Sequence, residues 1–137
     1  MIVDTTVLLS FFNRKEPAHA AVSVMIDTAD EALVVSPYVL AELDYFLLTR
    51  SGVQRELVAL RELLQPAWEI AKVTDAHLAQ AADLIEKYAD EKIGLTDAVN
   101  IVLASEYRTR RIATLDHRHF RVLRLLDGNP VEILPRQ

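Results

Sequence analysis

Four carboxylates in this chain stand where a strand ends or along a helix, and together they point to divalent-metal chemistry: Asp4, Glu42, Asp97 and Asp116. Asp4 closes the apolar run Ile2-Val3, and Asp116 closes Ile112-Ala113-Thr114-Leu115. Either alone reads equally well as a turn residue or the N-cap of the next helix. Asp97 follows Thr96 at the start of an apolar helical segment, where the helix dipole favours an acid for purely structural reasons. Asn100, three residues on, shares its face. Glu42 has Tyr38, Val39, Tyr45 and Phe46 at helical spacing around it. A carboxylate among such neighbours faces desolvation unless a cation compensates it. Carboxylates gathered at one place repel each other; a pair about 4 Å apart costs roughly 4 kcal/mol at an effective dielectric near 20. A hard cation such as Mg²⁺ relieves that repulsion with a few oxygen ligands and retained waters. One or two such ions polarise a phosphodiester and generate hydroxide near neutral pH.

The elements needed to gather these acids are legible in the pattern. Ile2-Val3-Asp4 reads as a buried strand leading into a helix with Val7, Leu8, Leu9, Phe11 and Phe12. Pro17 suits the first turn of a second helix reaching about Thr28. Ala32–Val35 reads as a strand, Ser36 as an N-cap, and Pro37 to about Arg50 as a helix that Gly52 ends. A helix with leucines at 57, 60, 63 and 64 follows, then a strand around Trp68–Val73. Thr74 is expected to cap a helix to about Tyr88, and Thr96 another to about Tyr107. Strands are expected at Arg111–Leu115 and Val131–Leu134, with Asp127-Gly128-Asn129-Pro130 as a turn. Strands apolar throughout and alternating with helices predict an α/β fold, a parallel sheet with helices on both faces. Ligands bind such sheets at the carboxyl edge of the strands. Asp4 and Asp116 lie at that edge, and the helices carrying Glu42 and Asp97 begin there.

Bulk properties narrow the classes. A length of 137 residues favours one domain, and 51% hydrophobic with 26% charged residues suits a folded, helix-rich chain. There is no Cys, which excludes disulfides and thiolate metal sites. No stretch approaches the roughly 20 apolar residues of a membrane span. With no basic leader before the first apolar run, the expected location is cytoplasmic. The net charge of −5 opposes a polyanionic partner, yet it is unevenly spread. Residues 105–137 carry seven Arg against four acids, a net +3, leaving −8 for residues 1–104. Arginine suits phosphate, although a solvated face of scattered charge explains the same residues.

Ile2-Val3-Asp4-Thr5-Thr6, Ser36-Pro37-Tyr38-Val39-Leu40-Ala41-Glu42-Leu43, Gly94-Leu95-Thr96-Asp97-Ala98 and Thr114-Leu115-Asp116-His117-Arg118-His119-Phe120 occur in that order. Together they resemble the PIN domain, specifically the VapC toxins of bacterial VapBC toxin–antitoxin modules, over essentially the whole chain. The resemblance implies a single PIN domain over 1–137 and an endoribonuclease in which Asp4, Glu42, Asp97 and Asp116 hold Mg²⁺ or Mn²⁺. It makes Thr6 and Thr114 supporting hydrogen-bond residues. It also implies a structured RNA substrate such as tRNA or a ribosomal RNA loop, a homodimer, and a VapB-like antitoxin that blocks the site. A basic antitoxin residue entering the acidic groove, anchored by Tyr38, Tyr45 and Phe46, would suit the charge.

Other candidates carry less. His117 and His119 flank the site, and contact with RNA or solvent is favoured for them over metal ligation. Asp44 points about 200° round the helix from Glu42. Asp90 has an outer-shell role only as a minority reading. Three alternatives compete: a PIN nuclease of RNA processing without an antitoxin, a phosphoryl-transfer fold of another kind, and a non-catalytic RNA- or protein-binding module. A dehalogenase-like phosphatase needs a second Asp where Thr6 stands. A binding module would be expected to have lost at least one acid, and all four are present.

Overall fold

The computed structural model describes residues 1–136. Its strands are β1 (Ile2–Val3), β2 (Leu33–Val35), β3 (Trp68–Ile70), β4 (Arg111–Ala113) and β5 (Glu132–Leu134). They form one sheet in the order β3-β2-β1-β4-β5, with every pairing parallel. The period of two along each strand splits the core into two layers. Ile2, Val34 and Ile112 face a cluster with Ala81, Leu84, Val99 and Leu103. Val3, Val35 and Ala113 face the opposite cluster with Val7, Leu8, Val39, Leu43 and Leu63. Both faces are covered, which is why the central strands β1 and β2 are apolar throughout.

The helices are α1 (Thr5–Phe11), α2 (His19–Asp27), α3 (Pro37–Ser51), α4 (Val53–Leu63), α5 (Asp75–Lys87), α6 (Leu95–Glu106) and α7 (His117–Val122). On one face of the sheet, α1 packs with α2 and α3, and α3 with α4; on the other, α5 packs with α6. Local chemistry sets several boundaries. Ser36 caps α3 by accepting the Tyr38 amide, with Pro37 in the first turn. Gly52 then adopts φ +87°, a conformation open to glycine, and alone separates the end of α3 from the start of α4. Thr74 and His77 form a reciprocal cap on α5.

Four expectations need correction. The second helix begins at His19, with Pro17 in the turn before it. Gly94, not Thr96, takes the N-cap position of α6, which puts Thr96 and Asp97 inside its first turn. The third strand ends at Ile70, three residues early. His117–Val122 forms α7, where the sequence reading gave no helix. The Asp127–Pro130 turn is present, with Gly128 at φ +86° and Asp127 accepting the Asn129 amide.

The strand order fixes where a site belongs. From β1 the chain builds outward through β2 and β3, then crosses back to place β4 on the other side of β1. The carboxyl ends of β1 and β4 therefore flank the point where the winding reverses, the usual ligand crevice of such sheets.

Candidate active site

Asp4 follows β1 directly, and its amide donates to Ala113 O at 2.8 Å, locking the ends of β1 and β4 together. It occupies the N-cap position of α1 but makes no side-chain cap hydrogen bond. Its carboxylate turns into the protein instead. Thr114 Oγ1 donates to Oδ2 at 2.8 Å and Asn100 Nδ2 to Oδ1 at 3.3 Å. All three side chains are buried. Burial pushes the Asp4 pKa from 3.8 to about 6, against the Thr114 hydrogen bond and the Thr5 amide; the charges of Asp97 and Glu42 add to the rise. The helix-cap explanation of Asp4 is thus not the one the geometry favours.

Thr114 is the hub of this arrangement. While donating to Asp4, its hydroxyl accepts the Asp116 amide at 3.0 Å and lies 3.3 Å from Thr6 Oγ1. Thr6 Oγ1 in turn accepts the Leu115 amide at 2.9 Å. With both amides as fixed donors, the hydroxyl protons run in one direction, from Thr6 to Thr114 to Asp4. The network ties the first residues of α1 to the segment between β4 and α7. Asn100 Oδ1 is a buried acceptor with no partner among the described residues.

Asp97 sits in the first turn of α6, and Asp116 at the N-cap position of α7, again without a side-chain cap bond. One turn into α7, His119 places Nδ1 at 2.7 Å from Asp97 Oδ2 and 3.9 Å from Asp116 Oδ2. Asp97, Asp116 and His119 each bring a ligand atom within 4.8 Å of the others. Burial raises the Asp97 pKa above 3.8; the His119 contact opposes the rise, and Asp116 and Glu42 reinforce it.

The structure places three of the predicted acids at one edge in different surroundings. Asp97 and Asp116 reach ligand distance of each other, while Asp4 is held beneath by Thr114 and Asn100. Glu42 departs from the sequence argument, because its side chain is exposed rather than desolvated among its apolar neighbours. Val39 and Leu43 take the core face of α3, and Glu42 registers at the site through its charge on Asp4 and Asp97. Asp90 is exposed on a 3-10 turn, Ala89–Glu91. Asp44 faces Glu56 on α4 instead, where the second carboxylate raises the Glu56 pKa. His119 is the functional candidate that sequence reasoning undervalued. The available signal was Asp116-x-x-His119, a helical i,i+3 spacing, with buried Phe120 anchoring the turn.

Two carboxylates and an imidazole within one ion's reach form a donor set that suits a divalent cation accepting oxygen and nitrogen. The buried, unpaired Asn100 oxygen marks the same region as more polar than folding alone requires.

Comparison with known proteins gives concordant results. The PIN domain family matches residues 1–125. Ribonuclease VapC26 of Mycobacterium tuberculosis strain H37Rv is 54% identical over 135 residues, spanning 98% of this chain and all of that protein. Among solved structures, the Mycobacterium tuberculosis toxin VapC20, described as cleaving the sarcin-ricin loop, superposes with a TM-score of 0.75 at 18% identity, over 81% of this chain and 85% of that one. VapBC2 of Rickettsia felis bound to a promoter DNA fragment gives a TM-score of 0.69 at 16% identity, over 96% of each chain. A toxin–antitoxin complex from Klebsiella pneumoniae gives 0.66 at 18% identity, over 87% and 88%. At these identities the structural matches establish the fold.

Proposed function

This chain belongs to the PIN-domain family, and we propose that it is a metal-dependent endoribonuclease, the toxin of a toxin–antitoxin pair, which cleaves a structured RNA to inhibit translation. The observation that carries the reading is the meeting of Asp97, Asp116 and His119 over buried Asp4 at the sheet's reversal point. The relative named Ribonuclease VapC26, 54% identical, supports RNA as the substrate class. Transfer RNA and a ribosomal RNA loop are the candidates, the latter favoured by the loop-cleaving description of VapC20.

In this proposal Asp4, Glu42, Asp97 and Asp116 would hold Mg²⁺ or Mn²⁺, with Asp97 and Asp116 lying within one ion's reach together with His119. The chemistry such an ion supplies is polarisation of a phosphodiester and activation of water. The remaining work belongs to the chain. Thr114 holds Asp4 and the Asp116 backbone in one geometry, so the acids do not rearrange as charge develops. Thr6 fixes the Leu115 amide, and with it the start of the segment bearing Asp116. His119 fixes the Asp97 carboxylate.

The partner we propose is a VapB-like antitoxin. The acidic edge favours an incoming Lys or Arg, and exposed Tyr45 beside Phe46, ring centroids 5.7 Å apart, offers an apolar anchor next to Glu42. Residues 1–137 are read as one PIN domain that works as a homodimer in the cytoplasm; no helix among the described residues is long and apolar enough to cross a membrane. The test is cleavage of tRNA and of ribosomal RNA fragments with Mg²⁺ or Mn²⁺, repeated with EDTA and with the small protein co-encoded beside this chain. Loss of cleavage in EDTA and at stoichiometric partner supports the reading. Metal-dependent cleavage that no co-encoded protein inhibits would favour a PIN nuclease of RNA processing.

A further inference from the structure

We propose that the cleft between the ends of α1 and α3 is a second phosphate-binding surface, which grips the RNA backbone away from the acidic edge. The inference rests on the ribonuclease reading above and adds where the substrate is held. Asn13, Arg14, Lys15, Arg50, Ser51 and Arg55 line this cleft, and no acidic side chain lines it among the described residues. Arg14, Lys15, Arg50 and Arg55 are exposed, and none pairs with a carboxylate among the described residues. That is half of the eight cations in residues 1–104, gathered in the strongly acidic part of the chain.

The C-terminal arginines, which sequence alone favours for phosphate, are in part committed elsewhere. Arg111 reaches Glu31 at 2.9 Å and Glu132 at 3.5 Å, and Arg136 reaches Glu132 at 2.8 Å. The cleft has no such internal neutralisation.

Its cations are brought together by local geometry. Asn13 Oδ1 accepts the Lys15 amide at 3.1 Å, a turn that sets Arg14 and Lys15 just beyond α1. Gly52, at φ +87°, folds α4 back on α3 so that Arg55 joins Arg50. The Arg50 guanidinium lies 4.5 Å from the Phe46 ring centroid, which orients it without neutralising it.

The position suits a long polyanion. Helix α3 starts at the acidic edge and Arg50 lies about 12 Å beyond Glu42 along its axis, at 1.5 Å per residue. Helix α1 starts just after Asp4, and the residues that follow its end, Asn13 to Lys15, line this cleft. An RNA crossing the acids therefore has a row of cations within a few nucleotides. An acidic catalytic edge repels substrate phosphates, and a separate basic surface supplies the attraction that the edge lacks. Contacts of this kind read the backbone and not its bases, so they set affinity and leave sequence choice to the edge.

The test measures binding of a labelled stem–loop RNA against salt concentration, with the wild type and with Arg14, Lys15, Arg50 and Arg55 all replaced by Ala. Each phosphate contact contributes roughly 0.7 to 0.9 to the slope of log affinity on log salt. The alanine variant should lose about three from that slope and about one to two orders of magnitude in affinity near physiological salt. Its Mn²⁺ affinity and melting temperature should stay those of the wild type, because all four side chains are exposed. A variant with Arg14→Lys, Arg50→Lys and Arg55→Lys keeps the charge and should keep most of the slope. Unchanged affinity and slope in the alanine variant would overturn the proposal. So would a loss confined to an acidic protein partner with RNA binding intact. A wild type that cleaves no RNA would instead refute the ribonuclease reading itself.

Discussion

His119 Nδ1 lies 2.7 Å from Asp97 Oδ2, joining the short helix α7 to the first turn of α6 across 22 positions of sequence. The contact sets an imidazole beside the carboxylates of the proposed metal site, so a nitrogen donor is within reach of an ion there, which bears on metal choice. Imidazole nitrogen suits transition-metal ions, whereas Mg²⁺ strongly prefers oxygen.

His119→Ala should lower Mn²⁺ affinity about 10- to 100-fold, the usual effect of losing a group that orients a ligand. Mg²⁺ affinity should fall less. Calorimetric titration with each ion checks both values, and an equal loss for the two ions would count against a nitrogen ligand.

Asp4 gives a pH-dependent stability whose sign follows from its raised pKa. The folded value is about 6 and the ordinary value 3.8, so the folded state binds the proton more tightly. This contribution is fully present below about 3.8 and is lost as pH rises through about 6. At 1.36 kcal/mol per pKa unit, the loss is about 3 kcal/mol. Asp4→Asn is neutral throughout and should be more stable than metal-free wild type above pH 7 by about 1–2 kcal/mol, after an offset of about 1 kcal/mol for imperfect hydrogen bonds. Near pH 4 the advantage should vanish. Thermal melts in EDTA at both pH values decide it; a destabilised Asp4→Asn at high pH would show that the carboxylate serves the fold.

Metal binding must displace the protons that burial favours on Asp4 and Asp97. Mn²⁺ affinity should therefore weaken steeply as pH falls through about 6, where Asp4 takes up its proton. Affinity that is flat across that range would place the ion away from both acids.

Thr114→Val keeps the shape and removes the hydroxyl that donates to Asp4 and accepts from the Asp116 amide. Leaving those buried groups unpaired should cost about 1–3 kcal/mol. The same change removes a bond that favours the charged carboxylate, so the acid limb of the activity profile should shift to higher pH. A lowered melting temperature with an unmoved pH profile would reduce Thr114 to a structural role.

The sheet and most helices were legible because their signals are local: apolar runs for β1, β2 and β4, and Ser36-Pro37 and Thr74 for the helix starts. Asp4, Asp97 and Asp116 were legible as an edge cluster because the alternation of strands and helices orders that edge. What lay hidden depended on packing. Glu42 was expected to be desolvated by its helical neighbours, but Val39 and Leu43 take the core side and leave it exposed. Helix α7 is six residues long, too short to show a period, and without it His119 has no fixed direction. The basic cleft joins Arg14 and Lys15 to Arg50 and Arg55 through tertiary contact alone.

The central claim is that the acids and His119 hold an ion used to cut RNA, and end-group analysis of the cleaved product tests it most directly. Wild-type protein with Mn²⁺ should leave 5′-phosphate and 3′-hydroxyl ends, as in-line attack of hydroxide on phosphorus with the 3′ oxygen leaving produces. Asp97→Asn should bind the RNA and leave it uncut. Cleavage that survives EDTA and leaves 2′,3′-cyclic phosphate, or undiminished cleavage by Asp97→Asn, would contradict the account.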